Sequence, residues 1–347
     1  MQLVILFAFL AVVFGQTNLR GSTNDMSELG SFDSESLHWT EFTNFQEKFA
    51  KKYGSMEELE TRFSIFRKNL IGILAHNADI HQNFTLGVNQ FTDLTPEEFR
   101  AQYVSGIRKE NLESFGCGTF SSTASSPSAV DWRSKGVVNP VRDQGQCGSC
   151  WAFATTANAE SAWALAKGQL LDLSEQYLVD CSSGKGYYNM GCNGGNPDSA
   201  FKYMINNGQC SDSSYPYTSG VTKTAGTCHS CTNIVSFSAC YDVTPKNQIA
   251  LKTAVAKQPV VIAIEADTRY FQSYSGGILD STQCGTNLDH AVEIIGYGTD
   301  NGKEYWTVRN SWGASWGENG YVRILRSDST NDIGICGVAA EPSFMTV

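Results

Sequence analysis

No stretch of this 347-residue chain reaches the roughly 18 consecutive apolar residues that a membrane-spanning helix needs. Basic charge is scarce. Lys and Arg number 25 against 35 Asp and Glu, for a net charge of −10, which argues against nucleic acid as a partner. Half of that charge lies before residue 126 and half after it, so it forms no acidic tail. Internal repeats and low-complexity tracts are not visible. Cys228-x-x-Cys231 has no second Cys-x-x-Cys and no His pair at zinc-finger spacing, so neither a metal nor a cofactor is expected. No Lys or Arg precedes the first apolar run. Even so, Leu3 to Phe14 has the length of a signal-peptide core, and Gly15 is a small residue at the cleavage position. Residues 1–15 are read as a signal peptide that sends a soluble protein into the secretory pathway.

Cysteine is plentiful, at 11 residues, and behind a signal peptide it implies disulfides. One cysteine stands apart. Cys150 sits in Gln144-Gly145-Gln146-Cys147-Gly148-Ser149-Cys150-Trp151-Ala152-Phe153; His290 follows in Asp289-His290-Ala291, and Asn310 in Asn310-Ser311-Trp312-Gly313. A cysteine with a distant His and Asn suggests a thiol nucleophile, its base and an orienting amide. A free thiol is mostly protonated near neutrality, so such a site must favour the thiolate. Helix-favouring residues run from Cys150 to about Lys167, with Ser149 as the N-cap and Gly168 as the stop. The positive end of that helix dipole would face the sulfur, and a neighbouring imidazole would add to the effect. Cys147-Gly148-Ser149-Cys150 also fits a redox motif, but no thioredoxin-like strand pattern surrounds it.

Elsewhere the periodicity is informative. Trp39, Phe42, Phe45, Phe49 and Tyr53 recur at three- and four-residue steps, a helical stripe. Ser174 is the expected cap of a helix opening Leu173-Ser174-Glu175-Gln176. Residues 260–264, 291–295 and 305–308 read as strands. Ser121 to Ser128 is an exposed, cleavable stretch, and Asn83-Phe84-Thr85 is the one N-glycosylation sequon. The class is α+β, with a hydrophobic content of 41% ample for a core.

These motifs resemble those of the papain family of cysteine proteases, cathepsin L type, made as preproenzymes. The resemblance extends to Glu58, Arg62, Phe66, Asn69, Ile73 and Asn77, which match the ERFNIN propeptide pattern, and to Gly87, Asn89, Phe91 and Asp93, which match Gly-x-Asn-x-Phe-x-Asp. It implies a signal peptide (1–15), an inhibitory propeptide (16–125) and a papain-like peptidase domain (126–347). The peptidase domain would have a helical subdomain over about 134–244 and a β-barrel-like one over about 245–340. His290 would act as acid and base to a Cys150 thiolate, Asn310 would orient the ring under the shield of Trp312, and Gln144 with the Cys150 N–H would form the oxyanion hole. The propeptide would run through the cleft opposite to substrate, and protonation of Asp93 would help release it. Disulfides are implied for Cys147–Cys192, Cys181–Cys228 and Cys284–Cys336. Cys210, Cys231 and Cys240 are left over with Cys210–Cys231 as the expected pair, and Cys117 is assigned to the propeptide.

The same resemblance puts Gly194 and Gly195 on the substrate backbone. It puts Asn196, Pro197, Ala263, Leu288, Ala291 and Glu341 around the pocket for the residue two before the cut, with Asp289 and Trp312 beside the site. Apolar members favour Leu, Phe or Val; Glu341 matches the carboxylate of cathepsin B-like and some protozoan enzymes that also accept Arg. No His-rich insertion like the occluding loop of cathepsin B is visible, so an endopeptidase is expected. Its partners would be protein and peptide substrates, its own propeptide and cystatin-like inhibitors, and it would be a monomer in a lysosome-like vacuole or outside the cell. The contrasting expectation is a catalytically silent binding or inhibitor protein of the same fold.

Overall fold

The computed structural model describes residues 25–104, 107, 117–184 and 186–347, with side chains from residue 36 onward. The signal-peptide segment lies outside the described residues.

Two helices open the described chain, α1 (Asp25–Lys48) and α2 (Met56–Asn77). The aromatic stripe of α1 closes on Phe63, Phe66 and Leu70 of α2 to form a small separate core. Trp39 stacks on Phe63 with ring centroids 3.7 Å apart, and Phe66 packs against both Phe42 and Phe45. Ser55 caps α2 by accepting from the Glu58 N–H, while the Glu58 carboxylate accepts from the Gly54 N–H. The polar members of the ERFNIN pattern act as clamps. Arg62 reaches Glu98 and the Asp93 carbonyl, and Asn69 donates to the Thr92 and Leu94 carbonyls. Asn77 both donates to and accepts from the Leu86 backbone. They hold β1 (Phe84–Leu86) and the loop after it against the helix. A Thr95–Glu98 capping box then starts α3 (Pro96–Phe99), which leads into one wider turn over Arg100–Val104.

The body that follows has its helices mainly in the first half: α4 (Cys150–Lys167), α5 (Glu175–Cys181), α6 (Pro197–Asn207) and α7 (Ser219–Thr222). Helices α8 (Gln248–Val255) and α9 (Arg269–Gln272) lie in the second half. The strands are β2 (Gly118–Phe120), β3 (Val130–Asp131), β4 (Ala239–Val243), β5 (Val260–Ile264), β6 (Tyr274–Leu279), β7 (His290–Asp300), β8 (Lys303–Arg309), β9 (Tyr321–Leu325) and β10 (Ser343–Thr346). They pair in the order β1-β6-β9-β8-β7-β5-β10-β4-β2, with β3 on β7. Both end strands, β1 and β2, come from before residue 126. All of β5 and the first nine residues of β7 are buried, which is why these strands read as continuous apolar runs.

The helix expected at Cys150–Lys167 forms over those residues, and Gly168 ends it in the left-handed conformation at φ 73°. Ser149 stands at the cap position but makes no cap hydrogen bond; its hydroxyl pairs with that of Tyr217 at 2.8 Å. Ser174 caps α5 as expected. The expected pairs Cys147–Cys192, Cys181–Cys228, Cys284–Cys336 and Cys210–Cys231 are all present. Cys228 and Cys231 therefore sit in different disulfides, which removes a zinc reading, and Cys147 is bonded away from Cys150, which removes a redox one. The odd count needs correction: Cys240 is not free but bonded to Cys117, so that Cys150 is the one free thiol.

Three apolar clusters result among the described residues. The largest joins the two parts of the chain. Ile73, Phe84, Leu86, Phe91, Leu94, Phe99 and Val104 share it with Phe271, Tyr274, Trp312 and Trp316 of the β-rich half. At about 1.5–3 kcal/mol for each large apolar side chain fully buried, this shared core outweighs the polar contacts around it.

Candidate active site

The loop before α4 is fixed by the Cys147–Cys192 disulfide and by the Gly148 N–H donating to the Cys192 carbonyl at 3.0 Å. Helix α4 then starts with the buried sulfur of Cys150 at its positive end. His290 is the first residue of β7 and lies opposite Ile264 of β5. Asn310 follows β8, whose last residue, Arg309, pairs with Glu293 of β7. That register brings His290 Nε2 within 2.8 Å of Asn310 Oδ1. The same Oδ1 accepts from the Ser311 N–H at 2.8 Å, so it is an acceptor and Nε2 carries the proton. Nδ1 is then the basic nitrogen, and among the described residues it has no protein partner. Trp312, fully buried, stacks on His290 with ring centroids 4.7 Å apart and keeps water from the His290–Asn310 bond.

The buried amide of Gln144 donates to the Cys147 carbonyl at 2.9 Å and to the carbonyl of Tyr103, in the N-terminal segment, at 3.0 Å. Its Oε1 accepts from Ser311 Oγ at 2.7 Å, which fixes the donating end toward the cleft. Ile107 makes a parallel bridge to Gly195, and Phe91 and Phe99 pack edge-on against Trp312.

With the cleft covered, burial favours the neutral forms of Cys150 and His290. Burial pushes the Cys150 thiol up to about 12, against the N–H groups of Ala291, Trp151 and Cys150 itself. Burial also pushes His290 down to about 4, against the Asn310 hydrogen bond. The helix terminus was expected to lower the thiol. Its field contributes about 0.3–2 kcal/mol, less than the desolvation of a fully buried thiolate.

The remaining expected positions fall in different places. A Cβ at Gly195 would lie 2.5 Å from the Trp151 ring, so only glycine fits on that indole. Gly194 has φ 103°. Asn196 spends its side chain capping α6, accepting from the Asp198 and Ser199 N–H groups, and Pro197 is the first residue of that helix. Ala263 and Ala291 are opposite one another on β5 and β7, both buried, and Leu288 is buried against Gly337. Asp289 accepts from the Ala266 N–H at 2.8 Å, and burial raises its carboxyl above the usual range. Glu341 is half-buried just before β10.

Sequence reading missed a buried ionic layer behind Asn310. A cavity of about 20 Å³, room for a single water, is lined by Arg142, Glu175, Glu293 and Arg309 among others. Arg142 pairs with Glu175 at 2.9 Å; Arg309 lies 3.7 Å from Glu293 and donates to the Pro140 carbonyl at 2.8 Å. The signal for Glu293 was one acidic residue inside the apolar run of residues 291–295.

This arrangement is a buried Cys–His–Asn cluster, held by two halves of one body and covered by the chain's own N-terminal segment. Residues 126–346 match the model for "Papain family cysteine protease", and residues 42–99 match "Cathepsin propeptide inhibitor domain (I29)". The chain is 44% identical over 304 residues to germination-specific cysteine protease 1 of Arabidopsis thaliana, covering 84% of this chain and 78% of the relative. It is also 44% identical over 298 residues to cysteine proteinase RD21A of the same plant, covering 85% of this chain and spanning 63% of that relative's length. Digestive procathepsin L 3 of the Tenebrio molitor larval midgut superposes with a TM-score of 0.81 at 38% identity, covering 90% of this chain and 99% of that one. The chain belongs to the papain family of cysteine proteases and carries that family's inhibitory propeptide.

Two outcomes follow. Asn310→Ala removes a hydrogen bond to what becomes an imidazolium, about 1.5–3 kcal/mol, so kcat should fall about 10- to 100-fold with KM nearly unchanged in steady-state assays. Burial pushes Glu293 up to about 8, against the pull of Arg309. Its folded-state pKa thus exceeds the unfolded value of about 4.3, so its share of stability is complete below that value and lost as pH rises through 8. Glu293→Gln should flatten the decline of Tm between pH 5 and 8, as read by thermal scans.

Proposed function

We propose that this protein is an endopeptidase working through a Cys150 thiolate and an acyl-enzyme, released from its zymogen by propeptide removal at acidic pH. What carries the reading is the Gln144 amide donating to the Tyr103 carbonyl. A propeptide peptide group occupies the place where an oxyanion donor would meet a substrate carbonyl. Once the propeptide leaves, water and charge re-enter the cleft and the proton of Cys150 passes to His290 Nδ1. The sulfur then attacks the scissile carbonyl carbon while Gln144 and the Cys150 N–H hold the oxyanion. His290 protonates the leaving amine as the C–N bond breaks, and then activates the water that splits the thioester. The parallel bridge of Ile107 to Gly195 fits a propeptide that runs opposite to an antiparallel-pairing substrate.

Asp93 is the proposed acid trigger. Its buried carboxylate accepts from Lys51 Nζ at 2.8 Å and from the Tyr53 hydroxyl at 3.0 Å, tying the loop between α1 and α2 to the inhibitory segment. Protonation deletes the ion pair. Asp93→Asn should therefore mature at a higher pH than wild type in a gel-based activation series; an unchanged pH profile rejects the trigger.

Side-chain selection would rest on Ala263, Leu288, Ala291 and Glu341, with Glu341 admitting Arg beside Phe or Leu. After acid activation, peptides with Phe or Arg two residues before the cut should both be hydrolysed. Glu341→Ala should lose Arg cleavage by tenfold or more and keep Phe cleavage; equal behaviour of the two enzymes sinks this role. We place the enzyme in the secretory pathway, in a vacuole or outside the cell, on the strength of its disulfides. No helix among the described residues is long and apolar enough to cross a membrane. It would act as a monomer, with cystatin-like inhibitors competing for the same cleft.

A further inference from the structure

Cys117 lies between the two matched segments, 42–99 and 126–346, and the sequence alone assigns it to the part that is discarded. In the fold it is bonded to Cys240 of the peptidase body, with Cα atoms 4.8 Å apart. Gly118–Phe120 then runs parallel to Tyr241–Val243 as the end strand β2. The Phe120 ring meets Phe344 edge-on at 5.3 Å, and the Lys257 ammonium stands 5.2 Å from its centre. Farther along, Ser126 reaches the Thr253 hydroxyl, the Pro127 carbonyl accepts from the Tyr297 hydroxyl at 3.0 Å, and Val130 pairs with Tyr297. The segment from Cys117 onward is thus built into the sheet of the body at the end opposite β1.

Among the described residues, the contacts that close the cleft lie before this staple: Phe91 and Phe99 on Trp312, Tyr103 on Gln144, Ile107 on Gly195. We infer that the cut which frees the active site falls N-terminal to Cys117, and that Cys117–Phe120 stays in the mature enzyme as a disulfide-stapled N-terminal arm. The inference rests on the zymogen reading above. A cut in the serine-rich stretch at Ser121 to Ser128 does not free the cleft, because the whole propeptide stays bonded to Cys240. A tethered inhibitor has an effective concentration of order millimolar, so it re-occupies the cleft after such a nick. The arm also closes an edge: without β2, the hydrogen-bonding side of β4 is left open.

The test is mass mapping of the purified zymogen after acid activation, with thiols alkylated and the sample analysed with and without reduction. The expected product keeps the Cys117 peptide bonded to Cys240, either in one chain or as a short disulfide-linked piece. Active enzyme that lacks Cys117, with Cys240 alkylated before reduction, overturns the inference. So does full activity in a form cut only between residues 121 and 129 and still carrying the tethered propeptide. If wild type does not process itself, self-activation fails; the arm is then read on the Cys150→Ala zymogen cut by added pepsin. There, protection of residues 117–120 supports the staple and their loss overturns it. In the Cys117→Ser/Cys240→Ser double variant, which leaves no odd thiol, a cut in the serine stretch should suffice to free the cleft. That variant's mature form should start after Phe120 and melt several degrees lower.

Discussion

Trp312 is touched from every side by something the enzyme needs. His290 stacks on one face, Phe271 and Trp316 pack around it within the β-rich half, and Phe91 and Phe99 press on it from the propeptide. Its burial strengthens the His290–Asn310 hydrogen bond, because a hydrogen bond is worth more where water is excluded. The indole that shields the His290–Asn310 pair is also the anchor of the propeptide. The propeptide gains its hold from the same apolar surface that covers His290, so the chain cannot lose that anchor and keep a shielded imidazole.

Covering the site also changes its chemistry. With the cleft filled, burial favours the uncharged thiol of Cys150 and the uncharged imidazole of His290, so the covering segment both blocks access and disfavours the charged pair. The helix terminus and the Asn310 oxygen favour the charged pair but are outweighed by burial until solvent returns. A site of this kind is switched by hydration as much as by occupancy. Behind it the ionic layer of Arg142, Glu175, Arg309 and Glu293 imposes a separate cost. Removing either partner of such a pair leaves a buried polar group without its match, so the layer is fixed in the fold even though a well-packed apolar layer could be as stable.

The legible parts were those with a local physical rule. Cys150–Lys167 has helical composition and a glycine that must turn left at its end, and 260–264 has the continuous apolar run of a strand covered on both faces. The ERFNIN positions were legible as one helix, but not as clamps: that Asn77 holds both hydrogen-bonding groups of Leu86 depends on where the chain returns. Ser149 looked like a cap and is drawn away by Tyr217, a partner 68 residues on. Asn196 was expected at the substrate pocket, and its side chain caps the helix it precedes. Glu293 and Arg309 meet only because a strand register pairs them, and nothing in either neighbourhood announces the other.

Cys117 shows the same limit most sharply. Read along the chain, it stands before an exposed serine-rich stretch, where a boundary between discarded and retained sequence is reasonable. Read in space, it is already part of the body, since the strand it starts completes a sheet and its sulfur is bonded to that sheet's neighbouring strand. Which residues belong to the inhibitor is therefore decided by which contacts reach the cleft, and among the described residues the last of these before Cys117 is at Ile107. The chain passes from one end of the sheet, through the active site, to the other end before the peptidase body begins. One chain segment can inhibit and another reinforce only if the division between them lies after the last cleft contact and before the staple.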